Sequence, residues 1–276
     1  MKKSIQILFN LFLLTPVFLS SCSSFKSVDT VYMANSTSGI KEKILTIENG
    51  LLPAVIIENE ESISYSILER MQEFDVPGLS IAVIKDNEIE WAKSYGVKEK
   101  GTSDIVTLNT MFQAASLSKP ITGIVAVSLA EQGEIDLYRS VNEQLKSWQI
   151  PENEFTKKKP VTPELLLMHL GGLNVHGYPG YAVSDSIPNI LDILNGTGLA
   201  NTEPMNVIIE PGTKWRYSGG GYTILQLLME EVCEKSFPQL MKENLFDPLG
   251  IKNSTFSHNL SKNEKESAAK GYKYDG

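Results

Sequence analysis

The chain has 276 residues, a formal net charge of −8 and 42% hydrophobic residues. That apolar fraction is too high for a disordered chain, and three histidines and two cysteines are too few for a Cys/His metal scaffold. The acidic balance argues against a nucleic-acid partner, which needs a basic face to displace counterions, and the length suits one domain with a sizeable insertion.

Lys2 and Lys3 precede a mostly apolar run from Ile5 to Leu19, broken by Gln6, Asn10, Thr15 and Pro16. A spanning helix needs about 20 apolar residues, so the run reads as a signal h-region. Leu19-Ser20-Ser21-Cys22 then resembles a bacterial lipobox, in which the cysteine is lipidated and becomes the new N-terminus. The alternative is an ordinary secretory signal cut nearby, with Cys22 incidental. The expected plan is a lipoprotein signal over 1–21, a tether and lead-in over 22–60 (polar and flexible over 23–39), and a domain over 61–276. A lipid anchor at Cys22 implies a cell-envelope location, facing the periplasm or the outside, with the membrane as a partner.

Ser62 to Phe74 carries apolar residues at near-helical spacing, and Pro77-Gly78 ends it. Leu79 to Ile84 reads as a strand buried on both faces. Asp86-Asn87 is a two-residue turn, and Glu88 to Tyr95 returns as the partner strand, with Ile89, Trp91, Lys93 and Tyr95 on one face. Gly96 to Val106 reads as a polar loop and Thr110 to Ala114 as a short strand or extended approach. Ser116 to Gln132 is apolar nearly all round and should be a buried helix closed by Gly133. Thr162-Pro163 starts a helix ended by Gly171-Gly172. Residues 173–218 read as ordered loop with a short helix near Ile187 to Leu194. Gly221 to Cys233 and Phe237 to Leu245 complete the helices, with Cys233 a buried core thiol. Lys157-Lys158-Lys159 reads as a solvated loop charge run.

Ser116 and Lys119 stand one helical turn apart, so hydroxyl and amine can meet. A neutral lysine could take the serine proton, and both burial and the positive end of a helix dipole favour that neutral form. Backbone N–H groups at the same helix end could receive an oxyanion. Ser-x-x-Lys also occurs at Ser23–Lys26, Ser38–Lys41 and Ser267–Lys270, but only Ser116 leads into an apolar helix. No Gly-x-Ser-x-Gly is present, which excludes the α/β-hydrolase arrangement. A Ser-His-Asp triad could draw only on His169, His176 or His258, none of them in a supporting motif.

Phe112-Gln-Ala-Ala-Ser-Leu-Ser-Lys-Pro120 resembles the active-site segment of the class C β-lactamase and penicillin-binding-protein-like serine hydrolases. Glu164-Leu-Leu-Leu-Met-His169-Leu-Gly-Gly-Leu173 is similar to that family's Leu-Leu-x-His-Thr-Ser-Gly-Leu segment. Pro211-Gly-Thr-Lys-Trp-Arg-Tyr217-Ser-Gly-Gly-Gly-Tyr222 is similar to its Tyr-x-Asn element, and the three come in family order over about residues 62–276. The resemblance implies an α+β, β-lactamase/transpeptidase-like fold: an antiparallel sheet domain with an inserted, mostly helical domain. It implies Ser116 as acylated nucleophile, Lys119 as its activating partner, and Tyr217 as general base or as the group returning the proton to the leaving group.

Gly219 stands where the family carries Asn, a substrate-contacting position, a departure that weakens the expectation of lactamase activity. His176, on the Asn174 to Gly180 loop, is a candidate substrate contact, whereas His169 reads as a structural hydrogen-bonding residue. No Lys-Thr-Gly is present. The expectation is a chain truncated at its C-terminal sheet strands, in which the hairpin of residues 79–95 alone remains and exposes an apolar face. The implied activity is cleavage of an ester or amide in a small-molecule or peptide substrate: carboxylesterase, D-amino-acid peptidase or β-lactam-like. It needs no cofactor and no metal. The alternatives are a catalytically silent peptidoglycan- or partner-binding module, or an inactive fragment. Nothing in the sequence speaks to oligomeric state.

Overall fold

The computed structural model describes residues 31–33, 38–59, 63–182 and 184–272. The signal segment and Cys22 lie outside the described residues. The chain divides into two compact units, Met1–Leu108 and Asn109–Gly276.

In the first unit, strand β1 (Val31–Met33) precedes helix α1 (Ser38–Glu48) and helix α2 (Ile67–Glu73). Strands β2 (Gly78–Lys85) and β3 (Glu88–Gly96) follow. Helix α2 starts five residues after Ser62, where periodicity alone would place it, because Ser66 caps it. The Ser66 hydroxyl accepts the Glu69 N–H, while the Glu69 carboxylate accepts the Ser66 N–H. Asp86 and Asn87 both take positive φ, 52° and 63°, as a two-residue hairpin between right-twisted strands requires.

The sheet has three antiparallel strands in the order β1-β3-β2. The hairpin is therefore not alone, as the sequence had suggested. Its inner face is also covered: Ile40 and Ile44 of α1 pack on the fully buried Trp91, and Ile67 and Met71 of α2 pack on Tyr95. Strand β2 lies at the edge, and its residues alternate between half-buried (Leu79, Ile81, Val83) and exposed (Ser80, Ala82, Ile84). The expectation of burial on both faces fails there: among the described residues of this unit, helices α1 and α2 pack on the face that carries Leu79, Ile81 and Val83. A bulge between Val83 and Ile84 pairs Val83 with Trp91 but Ile84 with Ile89, which turns Ile89 away from the Trp91 face.

The second unit is helical. A 3₁₀ turn (Ala115–Leu117) runs into α3 (Ser118–Glu131). Then come α4 (Val141–Gln144), α5 (Pro163–Leu167), α6 (Ile190–Asn195), α7 (Gly219–Cys233), α8 (Phe237–Met241) and α9 (Lys262–Ser267). Helix α7 is the axis of the core, with Ile224, Leu225, Leu228 and Met229 fully buried and α5, α6 and α8 packed around it. Burial of such side chains contributes about 1.5–3 kcal/mol each before entropy is charged against it.

Helix α3 presents one stripe to this core (Thr122, Val125, Ala126, Leu129), whereas Ile124 and Val127 are exposed. It is thus a one-sided helix, not one buried all round. Thr110 to Ala114 forms no strand beyond a parallel bridge from Met111 to Ala268. Cys233, at the C-terminal end of α7, is half-buried rather than enclosed, and burial pushes its thiol up. Among the described residues, no helix is long and apolar enough to cross a membrane.

Candidate active site

Ser116 occupies the middle of the 3₁₀ turn that leads into α3. Ala115 before it is held at φ 44°, a left-handed conformation that costs a non-glycine residue about 1–2 kcal/mol. Leu117 N–H closes the turn on Ala114 C=O, and no backbone acceptor among the described residues takes the Ser116 N–H. That amide sits beside its own hydroxyl at the N-terminal end of α3, where developing negative charge is favoured.

Lys119 lies one turn on and is half-buried, not enclosed as the sequence reading had it. Its Nζ donates to Ser116 Oγ at 3.1 Å. Tyr217 arrives from the opposite side of the site, and its hydroxyl donates to the same Ser116 Oγ at 2.8 Å. The Lys119 amine also stands 5.1 Å from the Tyr217 ring centroid and 5.9 Å from that of Tyr222. The hydrogen bonds from Lys119 and Ser116, followed by the Lys119 charge, hold the Tyr217 phenol below its ordinary value. An alcohol gripped in this way can lose its proton to whichever neighbour is in its basic form.

Tyr217 is fixed by what surrounds it. Ser218 caps α7, its Oγ accepting the Gly221 N–H at 3.0 Å and donating to Val175 C=O at 2.6 Å. The three glycines after it belong to the first turn of α7 and not to an open loop. A Cβ at Gly220 would stand 2.4 Å from Met205 Sδ, and one at Gly219 would stand 3.2 Å from His176 C=O. Gly219 is buried, and its N–H donates to His176 C=O at 2.8 Å. It therefore makes room in the wall behind Tyr217 and brings no side chain to a ligand. His176 is exposed, its ring 4.9 Å from that of Tyr217, on the rim where a ligand could touch it.

Two further residues of the motif segments frame Tyr217. The His169 ring lies 4.4 Å from that of Tyr217, and Trp215 stands exposed beside His169 at 6.1 Å. For Trp215 the available signal was its place two residues before Tyr217 in the same motif segment.

A nucleophile-sized alcohol between an amine and a phenol, at the tip of a helix and on a mixed α/β scaffold, defines the β-lactamase/transpeptidase-like class. The family model described as Beta-lactamase matches residues 66–275. The chain belongs to that family. Protein flp of Staphylococcus aureus (strain MW2) is 24% identical over 220 residues, which cover 79% of this chain and 42% of that protein. Teichoic acid D-alanine hydrolase of Staphylococcus aureus (strain MRSA252) is 26% identical over 221 residues, 79% of this chain and 50% of that one. The crystal structure of the beta-lactamase/D-alanine carboxypeptidase from Yersinia pestis complexed with citrate shares the fold with a TM-score of 0.59. It is 22% identical, covering 72% of this chain and 55% of that one. The chain thus spans about half the length of the curated relatives it matches.

Proposed function

We propose that this chain carries the acylation centre of a serine hydrolase that cleaves an ester or amide through a covalent acyl-enzyme on Ser116. The observation that carries the reading is the convergence of Lys119 Nζ and Tyr217 Oη on one serine oxygen, at 3.1 and 2.8 Å. With Tyr217 as phenolate, the Ser116 proton passes to it as Oγ attacks the carbonyl carbon. The resulting phenol then protonates the departing oxygen or nitrogen. The Lys119 cation steadies the phenolate before attack, and the Ser116 N–H receives the carbonyl oxygen as it becomes an oxyanion. Water repeats the exchange in reverse to release the acid and restore Ser116.

Relatives named for D-alanine chemistry make a D-alanyl ester or amide the substrate class to test first. His176 and Trp215 would contact that substrate at the rim, with Gly219 leaving space behind Tyr217. The protein works at the cell envelope, tethered through a lipidated Cys22, with 1–21 as signal, 22–60 as tether and lead-in, and 61–276 as the hydrolase domain.

A silent binding module is the weaker reading, because a binding cleft gains nothing from an amine and a phenol converging on one alcohol. A fluorescent fluorophosphonate separates the two: labelling of the purified chain that disappears in Ser116→Ala supports the hydrolase, and an unlabelled chain refutes it.

A further inference from the structure

We propose that His169 is the positioning residue that aims the Tyr217 phenol at Ser116, and that it does so as a neutral imidazole with its proton on Nε2. The inference rests on the reading of Tyr217 as proton carrier and assigns the device that holds it in place.

A single residue brackets Tyr217 on both sides. The His169 C=O accepts the Arg216 N–H at 2.9 Å, and His169 Nδ1 accepts the Ser218 N–H at 3.2 Å. The backbone of residues 216–218 is therefore pinned at both amides flanking the tyrosine, and the imidazole lies against the tyrosine ring at 4.4 Å, tilted by 35°. The same imidazole stands 5.3 Å from the Tyr222 ring, whose hydroxyl donates to Leu167 C=O at 3.2 Å. His169 itself is held at φ 58°, so its carbonyl and its ring both turn toward the 216–218 segment. A side chain that only filled space would need neither the acceptor nor this backbone.

The acceptor role fixes the protonation state. Nδ1 can take an N–H only when unprotonated, so the ring proton sits on Nε2. An imidazolium would set a donor against the Ser218 donor and release the clamp. The groups facing the ring are Lys119 from α3, His176 from the loop after Leu173, Tyr217, and Tyr222 from α7. Burial first, then the charges of Lys119 and His176, hold the imidazole below its ordinary value and keep the clamp closed at neutral pH. Activity should fall on acidification as this ring gains its proton.

The test uses the full chain, with p-nitrophenyl acetate turnover measured from pH 5 to 8 and Ser116→Ala as the blank. His169→Ala should lower kcat about 10²-fold with KM nearly unchanged, the cost of a catalytic group misplaced by about an ångström. His169→Asn keeps an acceptor near the Nδ1 position, tolerates positive φ, and does not titrate. It should recover most of kcat and lose only the part of the acid limb that His169 sets, leaving the rise that follows Tyr217 ionisation. Independently of turnover, a long-range proton–nitrogen spectrum of wild type should show His169 as the neutral Nε2–H tautomer at pH 7. An Nδ1–H tautomer, or wild-type kcat in a folded His169→Ala, would overturn this inference alone. A wild-type chain with no Ser116-dependent turnover would remove the hydrolase reading and this inference with it.

Discussion

Ser116 and Tyr217 are 101 residues apart in the chain, yet their hydroxyl oxygens stand 2.8 Å apart. The first is carried by the turn before α3 and the second by the segment that caps α7. Their meeting is a property of how these two helices pack within one compact unit.

Removing only the phenol oxygen isolates that meeting. Tyr217→Phe keeps the ring against His169 and so leaves the fold intact. The rate of Ser116 acylation should fall about 10²–10⁴-fold, the range for loss of a general acid–base group. Stopped-flow measurement of the acylation burst, with a thermal melt to confirm the unchanged fold, decides it. A loss confined to KM would mean that the phenol binds substrate and moves no proton.

The phenol's titration follows from its neighbours. The hydrogen bond and positive charge of Lys119 favour the phenolate, so Tyr217 should ionise below the usual phenol range, while burial makes Tyr178 and Tyr222 late. The sign is that of an acid stabilised in its charged form: the rate should rise with pH at values below the usual phenol range near 10. Spectrophotometric tyrosinate titration reads the order directly. Lys119→Met should push the early component back up among the others.

The loop that carries His169 depends on a close approach at Gly172, whose carbonyl accepts the Ile208 and Ile209 N–H groups. Its φ is 71°, and a Cβ there would stand 2.0 Å from Ile209 C=O. The obstacle is backbone and cannot swing aside. Gly172→Ala should cost about 2–4 kcal/mol in urea unfolding.

Ala115 gives the opposite expectation. Alanine to glycine in or beside a helix ordinarily loses stability of about 0.5–1 kcal/mol through unfolded-state entropy. At φ 44° the native state recovers a comparable amount. Ala115→Gly should therefore melt within about 1 °C of wild type, and a clear loss would show that the turn carries no strain.

What the sequence disclosed followed from local chemistry. The Asp86-Asn87 turn, the Thr162 cap with Pro163 behind it, and the Ser116–Lys119 turn are each encoded within a few residues, and the structure places all three where they were expected. What it withheld was set by partners distant in sequence. Strand β1 is three residues long and exists only through pairing with β3, so no periodicity announces it. The glycines after Ser218 look like loop because glycine is a poor helix former. They open α7 under the Ser218 cap, and Met205 leaves no space for a Cβ at Gly220. The bulge that turns Ile89 outward is likewise a matter of pairing register. In the site, the Tyr217 motif and the hydrogen-bonding role of His169 were legible, but not the partner it holds, because the Ser218 N–H lies 49 residues away.

The most direct measurement is mass spectrometry of the chain quenched during turnover of an activated ester, followed by peptide mapping. The account predicts one acyl group per chain, carried on the peptide containing Ser116 and absent from Ser116→Ala. An unmodified wild-type chain, or an acyl group on any other residue, would contradict it.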